Sequence, residues 1–247
     1  MSKNIMLTLC ITALLYSCTA TKSSSDFSNE IFVDVEQSVE LPLQRGRIIP
    51  LETSDSSLLY DIVSIDQVKD KYFIRSRNKI LTFDTEGNYL YNISGIGQGN
   101  KEYVNLSSFF IKNEELCIYD FNQGRVLVFA PSGRYLRTEK AVKNSDVECV
   151  PQLIRPYGKN KYIAKNSFNG TPGYVTPALS LLDEKYTITQ TLEGHSLHTG
   201  FLLFDFMNCD DNGGFITYWE ALSDTIYTVV NDSMVQPKYL VNFGEYA

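Results

Sequence analysis

From Asp61 onward, apolar and polar residues alternate in short runs closed by turn residues, and no run shows the 3.6-residue period of an amphipathic helix. Residues 62–68, 72–76, 80–84 and 88–94 read as four strands, with turns at 69–71, 77–79 and 85–87. Residues 107–112, 116–120, 126–130 and 134–141 repeat that order. The sequence FDTEGNYL, starting at Phe83, recurs as FAPSGRYL, starting at Phe129, which is 46 residues later and within the range of a propeller-blade period. Two looser copies follow, one at 151–157, 161–166, 179–183 and 187–192, the other at 201–208, 215–220, 225–230 and 238–243. A four-stranded unit of this size cannot bury both of its faces alone, whereas stacked neighbours can. The pattern therefore predicts an all-β fold, a β-propeller of four-stranded antiparallel blades at about 61–94, 107–141, 151–193 and 201–244, within a domain spanning 39–247.

The repeat also dictates which loops share a face. With strands a to d running from axis to rim, the crossover from d to the next a spans three strand spacings, about 14 Å. The glycine-rich stretch 95–105 is long enough for that. Because strand direction alternates, the b-to-c loops emerge beside the crossovers, at 77–79, 121–125, 167–178 and 221–224. Loops gathered on one face of a rigid scaffold are where binding is expected. The residues expected to touch a ligand there are Tyr103, Phe121, Arg125, Phe168 and Tyr174. Most of the others among the 16 Tyr and 14 Phe are expected to fill strands and blade interfaces.

Residues 1–17 carry one cation, Lys3, and an apolar run of 5–15 that is too short to span a bilayer as a helix, the layout of an export signal. Leu15-Tyr16-Ser17-Cys18 resembles the lipobox of bacterial lipoproteins, which implies lipidation of Cys18, and 18–38 then reads as a flexible polar tether. The composition changes the picture mainly by exclusion. A formal charge of -7 without any basic run argues against nucleic acid as a partner. Outside the signal and the lipidated position, Cys117, Cys149 and Cys209 remain; Cys117 reads as a core residue and a Cys149–Cys209 bridge is left open.

No motif completes a catalytic or cofactor site. Gly95-Ile96-Gly97-Gln98-Gly99 has the wrong spacing for a phosphate cradle and leads into a strand instead of a helix. The run from Asn208 to Gly213 resembles a calcium loop, but its twelfth position is Trp219 where a bidentate Glu is needed. His195 and His198 form HxxH without a helical or acidic context, and the SxxK at Ser76 lacks its partner motifs. No cofactor and no metal is expected. A carboxylate pair such as Asp120 with Asp224 keeps open an envelope hydrolase or lyase.

The combination FDxxGxYLxxI, a crossover carrying Gly97-Gln98-Gly99 and Glu102-Tyr103, and Ile49-Pro50-Leu51-Glu52-Thr53 ahead of the first blade resembles the NHL-like repeat. More closely, the chain resembles the six-bladed β-propeller lipoproteins of Gram-negative gut anaerobes, through Phe204, Asp224-Thr225-Ile226-Tyr227 and the lipobox. The lipobox, the blade repeat and the absence of a catalytic constellation predict a non-enzymatic module of the bacterial envelope, an outer-membrane lipoprotein held to the membrane by lipid on Cys18, that binds a protein, peptide or glycan. The resemblance implies that the segment around Ile49 supplies the outer strand of a last blade, and that members are longer by about two blades. Here 238–243 already completes the fourth unit, which leaves three alternatives: an open arc able to self-associate through an exposed blade edge, a compact ring, or a truncated remnant.

Overall fold

The computed structural model describes residues 29–33, 46–140, 150–167, 177–192, 206–209, 216–219 and 224–242. Four antiparallel blades arranged as a β-propeller account for most of these residues. The first blade comprises β2 (Ser64–Val68), β3 (Lys71–Ser76), β4 (Lys79–Asp84) and β5 (Tyr89–Ile93), preceded in the chain by a short strand β1 (Glu30–Phe32). The second is β6 (Leu106–Lys112), β7 (Glu115–Asp120), β8 (Arg125–Phe129) and β9 (Tyr135–Lys140). The third is β10 (Val150–Pro156), β11 (Tyr162–Ser167), β12 (Leu179–Leu182) and β13 (Ile188–Leu192). The fourth is β14 (Phe206–Cys209), β15 (Ile216–Trp219), β16 (Thr225–Asn231) and β17 (Met234–Asn242). These bounds lie close to the strands expected from alternation. β17 starts earlier than expected, at Met234, and runs through Pro237, on an edge where β1 pairs only with Leu240 to Asn242.

Tight connections hold the register. Lys69 and Arg77, with φ of 54° and 51°, occupy left-handed turn positions in the first blade, and Asn113 and Glu114 do so in the second. The pairing of the third and fourth strands shifts by one residue at the same place in three blades, between Thr82 and Phe83, Val128 and Phe129, and Leu181 and Leu182. The turn before each fourth strand is also repeated, with amides of Gly87, Gly133 and Tyr186 donating to carbonyls of Asp84, Ala130 and Asp183. Gly87 and Gly133 have φ of 89° and 80°, and Tyr186 adopts 62° in the matching position. The glycines are required by their neighbours: a Cβ on Gly133 would lie 2.7 Å from the Tyr91 ring, and one on Gly87 2.1 Å from the Pro50 carbonyl oxygen. In the third blade the matching position is Tyr186, whose buried ring is tilted against Tyr162 with centroids 4.4 Å apart.

The core lies between blades. Phe73, Ile80, Leu106, Phe109, Ile118 and Leu127 join the first blade to the second. Phe110, Cys117, Val128, Ile154, Tyr162 and Tyr186 join the second to the third. Ile163, Leu179, Leu181, Ile216, Tyr218 and Val229 join the third to the fourth. Cys117 is a core residue, as its apolar surroundings suggested, and burial pushes its thiol up to about 12.

The outer face of the first blade, Ile74, Leu81 and Phe83, is covered by Leu51 and Leu59 of the preceding segment. The Glu52 amide donates to the Gly87 carbonyl at 2.8 Å, and the Glu52 carboxylate accepts from the Tyr89 amide at 2.9 Å. This corrects the expectation for the Ile49 segment. It caps the first blade, and the strand added to the fourth blade comes from β1, which pairs in parallel with β17 through Glu30 to Leu240, Ile31 to Val241 and Phe32 to Asn242. A four-stranded sheet thus becomes five strands wide at its rim, and N-terminal segments touch both the first and the fourth blade.

The close approach of Pro50 to Gly87 yields a direct test. Gly87→Ala is expected to lower stability by about 1–3 kcal/mol in a denaturant titration, through the left-handed φ and the clash with backbone. It is also expected to speed limited proteolysis at Arg47. An unchanged midpoint and unchanged cleavage would show that the segment does not depend on this contact.

Candidate functional site

On the face that carries the crossover 95–105, the b-to-c loops of the first two blades are each tied down by a side chain at or just before the inner strand. Asp61 Oδ1 accepts the Arg77 amide at 2.9 Å and the Ser76 hydroxyl at 3.0 Å, and Ser107 Oγ accepts the Phe121 amide at 3.2 Å. Above the first of these loops the Tyr60 ring stands 60% exposed, with the Arg77 guanidinium 4.2 Å and the Lys79 ammonium 5.8 Å from its centroid. Phe121 is partly buried against the cluster between the second and third blades, with Asn105 and Asn122 joined beside it at 3.3 Å.

The glycine-rich crossover is satisfied from within. The Glu102 carboxylate accepts the Gly99 amide at 2.9 Å, and it occupies the space a Cβ on Gly97 would need, at 2.1 Å. Arg125 Nη2 donates to the carbonyls of Gly99 and Glu102 at 2.9 and 2.6 Å, and the Thr138 hydroxyl donates to Asn100. Asp120 is fully buried and accepts the Val104 amide at 2.9 Å, closing the end of the crossover. The loop is a chain reversal held by its own Glu102 and by Asp120, Arg125 and Thr138 of the second blade.

Two of the expected contact residues turn out to have structural tasks. Tyr103 is fully buried, and its hydroxyl donates to the carbonyls of Asn78 and Ile93 at 2.6 and 3.1 Å; burial raises its phenol well above the usual range. Its ring lies beneath the face instead of on it, because the hydroxyl is the link between the crossover and the first b-to-c loop. Arg125 is spent on the crossover carbonyls, with a side chain only 13% exposed beside Asp120. Phe121 sits where expected, at the edge of the face. Phe168, Tyr174, Cys18, Cys149, His195 and His198 lie outside the described residues, as does most of the calcium-like loop. Asp120, in the second blade, is buried and engaged by the crossover amides, and Asp224, just before β16 of the fourth, accepts the Thr225 hydroxyl at 2.9 Å. Among the described residues, no group of three or more His, Cys, Asp or Glu converges.

Sequence reasoning passed over Tyr60 and Asp61, which lie just before the first strand. The available signal was the run from Arg75 to Lys79, with a cation at every second position in an otherwise acidic chain.

A family model for a domain of unknown function, DUF4934, matches residues 37–247. The chain belongs to the DUF4934 family. Among solved structures, an exported protein from Bacteroides fragilis NCTC 9343 is similar at a TM-score of 0.64 and 18% identity, over 79% of this chain and 55% of that one. A DUF4221 member from Bacteroides vulgatus ATCC 8482 is similar at 0.53 and 9% identity, over 81% and 62%. At such identities the likeness speaks for the propeller fold alone. The DUF4934 chain spans less than two thirds of the length of both structures. No curated protein matches it.

The bridging role of Tyr103 is checked by Tyr103→Phe. Removing one hydroxyl leaves two carbonyls near the protein interior without their donor, at a cost of about 1–3 kcal/mol in chemical denaturation. Hydrogen exchange of the Gly97 and Tyr103 amides should accelerate as well. A stability equal to wild type would remove the hydroxyl from the framework.

Proposed function

We propose that this protein is a lipid-anchored propeller of the bacterial outer membrane that captures a protein, peptide or glycan on its crossover face. The observation that carries the reading is a rigid frame with an open display. Tyr103, Asp120 and Arg125 fix the crossover and the adjoining loops from below, while Tyr60, with Arg77 and Lys79 about its ring, stands exposed above them. Aromatic rings presented on fixed loops bind with little loss of conformational entropy. The export signal and lipobox of residues 1–18 support the address, as does the likeness to an exported Bacteroides protein. Its greater length supports reading these four blades as part of a six-bladed, NHL-like type of ring.

Two measurements test the proposal. Cys18→Ser is expected to move the protein from the membrane fraction to the soluble fraction and to abolish labelling with radioactive palmitate. On a panel of glycans and envelope proteins, simultaneous Tyr60→Ala, Phe121→Ala, Phe168→Ala and Tyr174→Ala is expected to weaken capture at least about tenfold, roughly the loss of one good aromatic anchor. Capture that survives all four substitutions places the ligand elsewhere.

A further inference from the structure

The inner strands β2, β6 and β10 approach one another at the propeller axis, and two arginines reach the middle one from opposite sides. Arg75, at the crossover-face end of β3, donates from Nη1 to the Ser107 carbonyl of β6 at 2.6 Å and from Nε to the Arg77 carbonyl at 3.3 Å. Arg155, near the far end of β10, donates from Nη1 to the Phe109 carbonyl of the same strand and lies 3.7 Å from Asp66 of β2. Carbonyls two residues apart on one strand are separated by about 7 Å, so the two guanidiniums are neighbours along the axis.

As structural staples these arginines are over-equipped. A guanidinium has five N–H donors. Arg75 uses two of them and Arg155 one on protein acceptors, leaving three and four donors respectively without a hydrogen-bond acceptor among the described residues. Nor do their charges cancel. Arg155 has Asp66 beside it, but Arg75 forms no ion pair among the described residues, and Asp61 acts on it only through space. Burial, and then the Arg155 charge, lower Arg75 below the ordinary arginine range, so each guanidinium feels the other as a repulsion. Arg77 and Lys79 add two cations at the same end, in a chain with 22 basic and 29 acidic residues. An anion lying between the two forks would take up the idle donors and relieve the repulsion, which is the geometry in which arginine binds carboxylate and phosphate most strongly.

The geometry points to an anion-binding site at the propeller axis beside β6, in which Arg75 and Arg155 hold a carboxylate or phosphate group of the ligand. This rests on the crossover face being the binding face, and adds to it the chemistry of the group recognised. Tyr60, with Arg77 above it, would then flank the part of the ligand that extends outward.

The test uses the full chain with inorganic phosphate, glucuronate and, as neutral control, methyl glucoside, followed by calorimetry and by NMR of the arginine Nε–H groups. Saturable binding of phosphate, of glucuronate or of both is expected, with a Kd of about 1 mM or tighter, weakening with added salt. Binding of phosphate alone or glucuronate alone identifies which anion the site prefers, and methyl glucoside should not bind. Arg75→Gln and Arg155→Gln should each weaken binding about tenfold or more, while Lys161→Gln, at the Asp232 ion pair between the third and fourth blades, should leave it unchanged. If Arg75→Gln does not fold, the wild-type titration decides: the Arg75 and Arg155 Nε–H signals must move with the anion. No saturation by either anion, or unchanged affinity in folded variants, overturns the site. If anion binding fails while capture by the aromatic face persists, the anion site falls and the broader binding reading stands.

Discussion

Burial of sheet faces between neighbouring blades is the interaction on which the rest of this structure depends. A single four-stranded blade has two apolar faces and no way to cover them. Phe73, Phe109 and Leu127 are buried only because the first and second blades meet, and Ile163, Leu181 and Ile216 only because the third meets the fourth. Stability of this kind accumulates by neighbour contacts, so the position of each blade is set by the one before it. The terminal faces are then the weak places. The first is covered by Leu51 and Leu59, held through Gly87 and Glu52, and the rim of the fourth is extended by β1.

The polar groups follow from that packing. Once blades are pressed together, every loop between them must satisfy its backbone locally or from the adjacent blade. Asp120, Arg125, Glu102 and Tyr103 do this for the crossover, and Tyr91 and Tyr119 reach carbonyls of Pro131 and Pro151 across the next two junctions. Residues with chemically attractive side chains are therefore consumed by the scaffold. What is left for a ligand is what the scaffold does not use: an exposed Tyr60 with its cations, and the unspent donors of Arg75 and Arg155 at the axis.

Much of the fold was legible because its signals are local. Alternation over five to seven residues marked the strands, and the FDTEGNYL and FAPSGRYL copies marked the blade period. The crossover was legible as a crossover for the same reason, since glycine spacing and the following strand are features of a few consecutive residues. The candidate site was much less so. Tyr103 and an exposed loop tyrosine look alike in sequence; what separates them is that Asn78 and Ile93 carbonyls wait beneath the crossover, 25 and 10 residues away. The turn position of Tyr186 shows the same limit. It matches Gly87 and Gly133 in its hydrogen bond, yet it carries a large ring that packs in the core between the second and third blades.

By itself, then, the sequence determined the all-β class, the blade boundaries and the face on which the loops gather, because hydrophobic periodicity and turn chemistry act over neighbouring residues. Only the tertiary structure decided which residues of that face are spent and which are available. It alone placed 46–59 on the first blade and Glu30–Phe32 against Leu240 to Asn242 of the fourth, and it alone brought Arg75 and Arg155 to one strand. Those outcomes depend on contacts between blades far apart in the chain, where the geometry of stacking chooses each partner.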